Sequence, residues 1–254
     1  MNIPAVVMNL LGGLALFIYG MRTMGEGLQK VAGDRLRKFL EALTSIPIMG
    51  VLAGTIVTAI IQSSSATTVM VVGFVNAGLM TLRQAIGVIM GANIGTTMTA
   101  QLIAFKLDKF TMPIIAVGFA LYFISKSKRY RYMGQVILGF GVLFLGLNIM
   151  SEAMSPLREY EGFMNFVADF GCYPLIGVMV GLFMTVMIQS SSATIGMLIA
   201  VASQGLIPLD AAIPVLFGDN IGTCITAVLA SIGTSLTARR AALAHVFFNV
   251  FGTI

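Results

Sequence analysis

The sequence TAIIQSSSATTVMVV (residues 58–72) places the polar segment QSSS inside an apolar run, and TVMIQSSSATIGMLI (residues 185–199) does so a second time. The apolar stretches beside each QSSS (47–61 and 66–79, then 174–188 and 193–207) measure roughly 22 Å as helix, whereas the hydrocarbon core of a bilayer is roughly 30 Å thick. We therefore expect each pair of stretches to form a re-entrant hairpin that turns at QSSS. Non-helical backbone at that depth has to be buried in protein or line a wet cavity.

Composition indicates an all-α integral membrane protein. Of the 254 residues, 57% are hydrophobic and 10% are charged, with a mean hydropathy of +0.96. Soluble domains carry about 25% charged residues. The sequence pI of about 9.4 does not indicate a nucleic-acid partner, because the basic residues fall in short loops between apolar runs. The first 21 residues have no basic leader and no small-residue cleavage site, so they are expected to begin a membrane helix.

The two QSSS segments belong to a longer internal repeat. With an offset of 127, residues 54–100 align without a gap to residues 181–227, with 23 identities in 47 positions. Farther upstream, Gly20, Met24 and Glu26 match Gly146, Met150 and Glu152 with an offset of 126. We therefore predict a first membrane repeat (1–127) and a second (128–254) that together form one membrane domain.

Each repeat is expected to contain the same elements in the same order. A first helix (about 5–21 and 135–150) precedes the hairpin. A longer run (85–105 and 211–232) carries the motif G-x-N-I-G-T, and a last run (110–124 and 241–254) closes the repeat.

The distribution of charge predicts that the repeats have opposite orientations. If each hairpin returns to its own side, one side of the membrane receives twelve basic residues and the other receives three. Cytoplasmic loops are enriched in Lys and Arg, so the first hairpin should open from the cytoplasm and the second from outside. The larger group is Arg22, Lys30, Arg35, Arg37, Lys38, Arg83, Lys126, Lys128, Arg129, Arg131, Arg239 and Arg240, and the smaller group is Lys106, Lys109 and Arg158.

The QSSSAT segment is chemically suited to bind an anion. Hydroxyl groups and the Gln amide can donate hydrogen bonds, and Ser65 or Ser192 is expected to cap a helix that begins at the next residue. Helix N-termini are phosphate sites, and two that converge could hold a polyanion without Arg or Lys. The predicted anion-binding residues are Gln62, Ser63, Ser64, Ser65, Gln189, Ser190, Ser191 and Ser192.

The second motif predicts an oxygen-rich cation site. Residues 91–97 (GANIGTT) and 218–224 (GDNIGTC) are expected to break their helices at the glycines and expose carbonyl oxygens, which suit Na⁺. Asp219 is the one carboxylate that we place within a membrane run, where an acid indicates function. Its counterpart in the first repeat is Ala92. Hydroxyls of the QSSSAT segments can also coordinate a cation, so the predicted Na⁺ ligands are Ser65, Thr67, Asn93, Thr96, Ser192, Thr194, Asp219, Asn220 and Thr223.

The doubled QSSS, each copy followed by N-I-G-T, resembles the type II sodium/phosphate cotransporter family over nearly the whole chain. The segment ARRAALAHVFFN (238–249) resembles the family too, although the first repeat has no counterpart of its H-x-x-F-N part. The resemblance implies a multi-pass protein of the cytoplasmic membrane that takes up inorganic phosphate with Na⁺ and needs no other cofactor. It also implies that QSSS, Asn93, Thr96, Asn220 and Thr223 surround the substrates.

The sequence is also compatible with two other functions. A Na⁺-coupled transporter of another oxyanion, such as sulfate, and a passive anion channel are the alternatives. An enzyme is disfavoured because a nucleophilic Ser needs a nearby base, and the single histidine, His245, lies on another segment, where we expect a packed core residue. The expected partners are phosphate, Na⁺ and membrane lipid, with a homo-oligomer left open. Transport is expected to require one helix bundle, carrying both hairpins, to move against the rest.

Overall fold

The computed structural model describes residues 3–32, 47–105, 107–159 and 173–253. These ranges are helical almost throughout, which confirms the predicted all-α class, and they contain four helices long and apolar enough to cross a membrane. Arg35, Arg37, Lys38 and Lys106, which contributed to the predicted orientation, lie outside the described residues. The helices are α1 (Ile3–Ala32), α2 (Pro47–Ile61), α3 (Ser64–Asn76), α4 (Leu82–Ala104), α5 (Thr111–Ile124), α6 (Lys128–Met154), α7 (Pro174–Ile188), α8 (Ser191–Ser203), α9 (Leu209–Ala230) and α10 (Leu236–Phe251).

The chain turns back on itself at each QSSS. Gln62 has a left-handed backbone with φ 59°, and Ser63 is extended before α3 begins. The Thr58 hydroxyl then donates to the Thr67 hydroxyl at 2.9 Å, although nine residues of straight helix would separate them by about 13 Å. Thus α2 and α3 form a helical hairpin.

The second QSSS repeats this geometry. Gln189 also has φ 59°, Ser190 is the extended residue before α8, and the hydroxyls of Thr185 and Thr194 lie 2.9 Å apart. The predicted helix caps at Ser65 and Ser192 are wrong. Ser63 and Ser190 cap the helices because the left-handed Gln ends the preceding helix and the next hydroxyl meets the N–H of Ala66 or Ala193.

The helices that carry N-I-G-T are continuous, so the predicted breaks at their glycines are wrong. In α4, a Cβ at Gly91 would lie 2.0 Å from the Val51 carbonyl oxygen of α2. In α9, a Cβ at Gly218 would lie 1.9 Å from the Val178 carbonyl oxygen of α7. These glycines serve close helix packing, which small residues permit in membrane proteins.

The same contacts show the directions of the helices. Gly50 of α2 lies beside Gly87 and Val88 of α4, and farther along both helices Thr58 lies beside Gly95. The two helices therefore begin side by side and run in the same direction, and α3 connects the end of α2 to the start of α4. Helices α7 and α9 pack in the same way, from Gly177 against Pro214 to Thr185 against Gly222.

Helices α1, α5 and α6 form a separate group, here called the α1–α5–α6 bundle. Helix α1 packs antiparallel to α6, since Gly13 lies against Met150 and Gly20 against Leu143. Gly139 in turn lies against Met24, and Gly146 against Phe17. These pairs are related by the repeat offset of 126. The Gly13–Met150 pair corresponds to the Gly139–Met24 pair, and the Gly20–Leu143 pair corresponds to the Gly146–Phe17 pair.

The remaining helices form the hairpin bundle (α2, α3, α4, α7, α8, α9 and α10). Helix α10 packs on α3, α4 and α9, whereas its counterpart in the first repeat, α5, packs on α6. The last helices of the two repeats therefore occupy different environments. The two bundles meet where α1 contacts α2 and α8 and where α6 contacts α8.

The glycine packing of α1 is testable by adding one methyl group. A Cβ at Gly20 would lie 2.3 Å from the backbone nitrogen of Leu143, whereas a Cβ at Gly12 would meet no atom within 4 Å. We expect Gly20→Ala to reduce the free energy of unfolding by about 1–3 kcal/mol, the usual cost of overpacking. Gly12→Ala, the matched control in the same helix, should not destabilise the protein. Unfolding in detergent checks both variants, and equal stability would contradict the assigned packing.

Candidate functional site

The two hairpin tips line one cavity of about 220 Å³. Each tip contributes the same pair of residues, Gln62 and Ser63 from the first hairpin and Gln189 and Ser190 from the second. The structure therefore brings together the first halves of two segments that lie 127 residues apart in the sequence. Helix α1 forms the other wall, and Ile61 at the end of α2 completes the lining. The α1 residues are Met21, Arg22, Gly25, Glu26 and Gln29.

Hydrogen bonds fix both tips. The Ser63 hydroxyl accepts from the N–H of Ala66 at 3.1 Å, and the Ser190 hydroxyl accepts from the N–H of Ala193 at 3.3 Å. Gln62 is held further, because its amide oxygen accepts from the Thr99 hydroxyl at 3.0 Å. Gln189 is exposed. Both helix N-termini thus begin at the cavity wall, where their positive ends favour an anion.

The second halves of the predicted anion-binding segments do not line this cavity. Ser64, Ser191 and Ser192 are buried, and Ser65 is half-buried. Behind each tip, Thr67 and Thr194 bond to the threonine of the preceding helix, Thr58 or Thr185. The phosphate-binding roles of these serines stay predictions.

Asp219 lies in a buried hydroxyl cluster next to the second tip. Its side chain accepts from the Thr185 hydroxyl at 2.5 Å, and that hydroxyl also contacts Thr194. Only 1% of Asp219 is exposed, and its backbone carbonyl accepts from the Thr223 hydroxyl at 2.9 Å. The first repeat has the corresponding Thr58–Thr67 pair but no carboxylate, because Ala92 occupies the place of Asp219.

Four of the nine predicted cation ligands line a second cavity, of about 640 Å³, between α4, α8 and α9. Asn93, Thr96, Asp219 and Asn220 all face it, among mostly apolar neighbours. Asn93 also donates to the Asn249 side chain of α10 at 2.6 Å. The other five, Ser65, Thr67, Ser192, Thr194 and Thr223, are not among its lining residues. The nine predicted Na⁺ ligands therefore do not form one coordination shell in this conformation.

Several residues that line the tip cavity or lie behind the tips were not predicted from the sequence. Arg22, Glu26 and Gln29 line the tip cavity, although the first helix was expected to end near residue 21 and α1 continues to Ala32. Their spacing of four and then three residues, which places side chains on one helical face, was the available signal. Thr58 and Thr185 were missed because hydroxyl residues are common in membrane helices.

His245 belongs to a polar cluster in the hairpin bundle. It is fully buried, and its Nε2 lies 3.4 Å from the Asn93 side-chain oxygen. Asn249 donates to the His245 carbonyl at 3.0 Å and to the Cys224 sulfur at 3.1 Å. This cluster joins α4, α9 and α10, in keeping with the predicted core position of the histidine.

Polar interruptions between helices that line one cavity in an apolar helical protein are typical of secondary transporters. Comparison of the sequence with protein families agrees: the chain matches the Na⁺/Pi-cotransporter family over residues 16–152 and 158–254. The protein belongs to this family, as the QSSS and N-I-G-T motifs predicted.

The relatives include bacterial and animal proteins. The uncharacterized protein YqeW of Bacillus subtilis (strain 168) is 34% identical over 239 residues, which cover 94% of this chain and 78% of YqeW. The "Putative inorganic phosphate export protein YjbB" of Escherichia coli (strain K12) is 28% identical over 98% of this chain. Human sodium-dependent phosphate transport protein 2B is 39% identical over 97 residues, which cover 37% of this chain and 14% of that protein.

This chain spans 46% of the length of YjbB. No solved structure gives a significant match to the chain.

The Asp219 cluster allows a test with an internal control. Thr185→Val keeps the shape of the side chain but removes the hydroxyl that donates to Asp219. Loss of a partner that leaves a buried group unsatisfied costs about 1–3 kcal/mol, and more for a charged group. Thr58→Val removes the corresponding hydroxyl in the first repeat, where no carboxylate depends on it. We expect a larger fall in thermal unfolding midpoint for Thr185→Val, and equal falls would exclude a special role for the Thr185–Asp219 bond.

Proposed function

We propose that the protein is a sodium-dependent symporter of inorganic phosphate, a multi-pass protein of the cytoplasmic membrane. The observation that carries the proposal is the cavity shared by the two tips, where Ser63 and Ser190 begin two helices against the same space. Donors from side chains and helix N-termini suit a tetrahedral oxyanion. Family membership and the sodium-dependent human relative support phosphate and Na⁺ as the substrates. The proposal requires no cofactor and no enzymatic step.

The repeats are inverted in this proposal, and each QSSS hairpin is re-entrant. Parallel packing of α2 on α4, and of α7 on α9, supports the return of each hairpin to its own side. Antiparallel packing of α1 on α6 supports the inversion. The contacts support it further, since the Gly20–Leu143 pair and the Phe17–Gly146 pair correspond under an offset of 126.

In the proposed site, Na⁺ offsets the charge of phosphate so that the loaded site can cross the membrane. Asp219, with Thr185 and Thr194, supplies carboxylate and hydroxyl oxygens next to the second tip. A buried charge without a partner is expensive in a membrane, so a half-loaded site is disfavoured. The other predicted ligands, Ser65, Thr67, Asn93, Thr96, Ser192, Asn220 and Thr223, are proposed to contribute as the site changes conformation.

Alternating access is proposed to arise from movement of the hairpin bundle along the α1–α5–α6 bundle. Under the repeat offset of 126, the α1–α6 contact at Gly13 corresponds to the contact at Met24, and the contact at Phe17 corresponds to the contact at Gly20. The midpoint of these corresponding positions on α1 lies near Ile18. The first tip, however, lies against Gly25, where a Cβ would be 3.1 Å from the Ile61 carbonyl oxygen. Gly25 is seven residues beyond Ile18, or about 10 Å along the helix. The tips are thus displaced toward the side predicted to be cytoplasmic, and the opposite state would carry them toward the other end.

The central test is phosphate uptake into proteoliposomes that contain the purified protein. We expect saturable uptake with an inward Na⁺ gradient and little uptake with K⁺ or a pH gradient in its place. Uptake that ignores Na⁺ would overturn symport, and flux that does not saturate would favour an anion channel. Sulfate uptake stronger than phosphate uptake would favour a transporter of another oxyanion.

Ser190→Ala tests the role of the second tip, and Ser235→Ala is its control, because each substitution removes one helix cap. The Ser190 hydroxyl accepts from Ala193 N–H at 3.3 Å, and the Ser235 hydroxyl accepts from Ala238 N–H at 3.3 Å, outside the cavity. Loss of either cap should destabilise its helix by about 1 kcal/mol. We expect Ser190→Ala alone to weaken phosphate affinity, measured as the KM for uptake. An unchanged KM in Ser190→Ala would remove this hydroxyl from the phosphate site.

A further inference from the structure

Arg22 is the basic side chain in the wall of the tip cavity. It lies on the face of α1 that also carries Gly25, Glu26 and Gln29, and this face closes the space between Ser63 and Ser190. The sequence placed Arg22 among the residues that orient the chain in the membrane. In the structure the same residue borders the cavity into which two helix N-termini open.

The charge of Arg22 is not balanced by an acid among the residues that the structure describes. Glu26, one turn away, forms a salt bridge with Lys30 at 3.7 Å and accepts from the Gln135 amide at 3.4 Å. Lys30 also donates to the Gln135 side chain of α6 at 3.3 Å, so Glu26 and Lys30 both bond to the same glutamine. Within the described wall, Arg22 therefore remains a cation available to an anion in the cavity.

Arg22 and the tips belong to different bundles. Arg22 is on α1, which packs on α6, whereas both tips belong to the hairpin bundle. A movement of one bundle against the other would therefore separate Arg22 from the tips. In the second repeat the residue that matches Arg22 is Asn148, which is neutral and lines a different cavity with Ser151 and Glu152.

We propose that Arg22 is a side-specific binding residue for phosphate, which contacts the anion only when the tips face the side predicted to be cytoplasmic. Its guanidinium offers several donors in one plane, a geometry that matches two oxygens of an oxyanion. Phosphate is thus bound more tightly on the Arg22 side than on the opposite side. This inference rests on the proposed phosphate site and adds a difference in affinity between its two open states.

Phosphate binding by the purified protein in nanodiscs tests the contact. We expect Arg22→Gln to weaken the binding of radiolabelled inorganic phosphate about 10-fold, the size of one charge-assisted hydrogen bond. Arg22→Lys, which keeps the charge, should retain part of the affinity. Arg83→Gln is the matched control, because Arg83 is exposed on α4, is predicted to lie on the same side of the membrane, and does not line the cavity. Equal affinities in Arg22→Gln and Arg83→Gln would overturn the proposal.

Flux from each side of oriented vesicles tests the side specificity. Arg22→Gln should raise the phosphate KM for flux that starts on the Arg22 side and leave the KM on the opposite side nearly unchanged. Equal increases on both sides would overturn the side-specific part. The binding measurement does not depend on coupling. If wild-type flux does not depend on Na⁺, the symport proposal is wrong. The Arg22 contact is tested separately, by the phosphate affinity of the variants. A thermal unfolding midpoint without phosphate that matches wild type shows that each variant is folded.

Discussion

Backbone groups that leave a helix inside an apolar environment need partners from the protein, because lipid offers none. The two QSSS tips satisfy this requirement in the same way. In each, a left-handed Gln ends one helix and the next Ser caps the following helix, while a pair of threonine hydroxyls joins the two arms. The Gln and Ser residues of the two tips also line the tip cavity. Structure and site therefore depend on the same few polar groups.

Each hairpin packs closely against an N-I-G-T helix, and glycine residues make this close approach possible. Gly54 and Gly91 hold α2 on α4, and Gly181 and Gly218 hold α7 on α9, with backbone against backbone. In water, glycine within a helix costs about 1 kcal/mol relative to alanine, so a cluster of Gly and Asn suggests a break. In this protein, close packing offsets that cost. The N-I-G-T segments are therefore continuous helices against which α2 and α7 pack.

The sequence predicted the parts of the fold that follow from hydrophobic runs and from the repeat. The bounds of α2 and α7 agree with the predicted apolar stretches, and both polar tips were recognised. Three consecutive serines offer three possible caps, and the choice depends on which residue adopts the left-handed backbone. Arg22 was missed because it follows the apolar run, although α1 continues for ten more residues. The position of α10 depends on tertiary contacts that its counterpart α5 does not share.

The differences between the repeats bear on how the proposed transporter would work. Two identical inverted halves would give two open states of equal energy and equal substrate affinity. Three features remove this equality: Asp219 matches Ala92, Arg22 matches Asn148, and α10 packs where α5 does not. The direction of net transport is set by the gradients, but affinity on each side is set by the residues that face it. In the proposed transporter, one carboxylate behind one tip and one guanidinium on one side would make the two open states chemically distinct, and the different packing of α10 and α5 would make them structurally distinct as well.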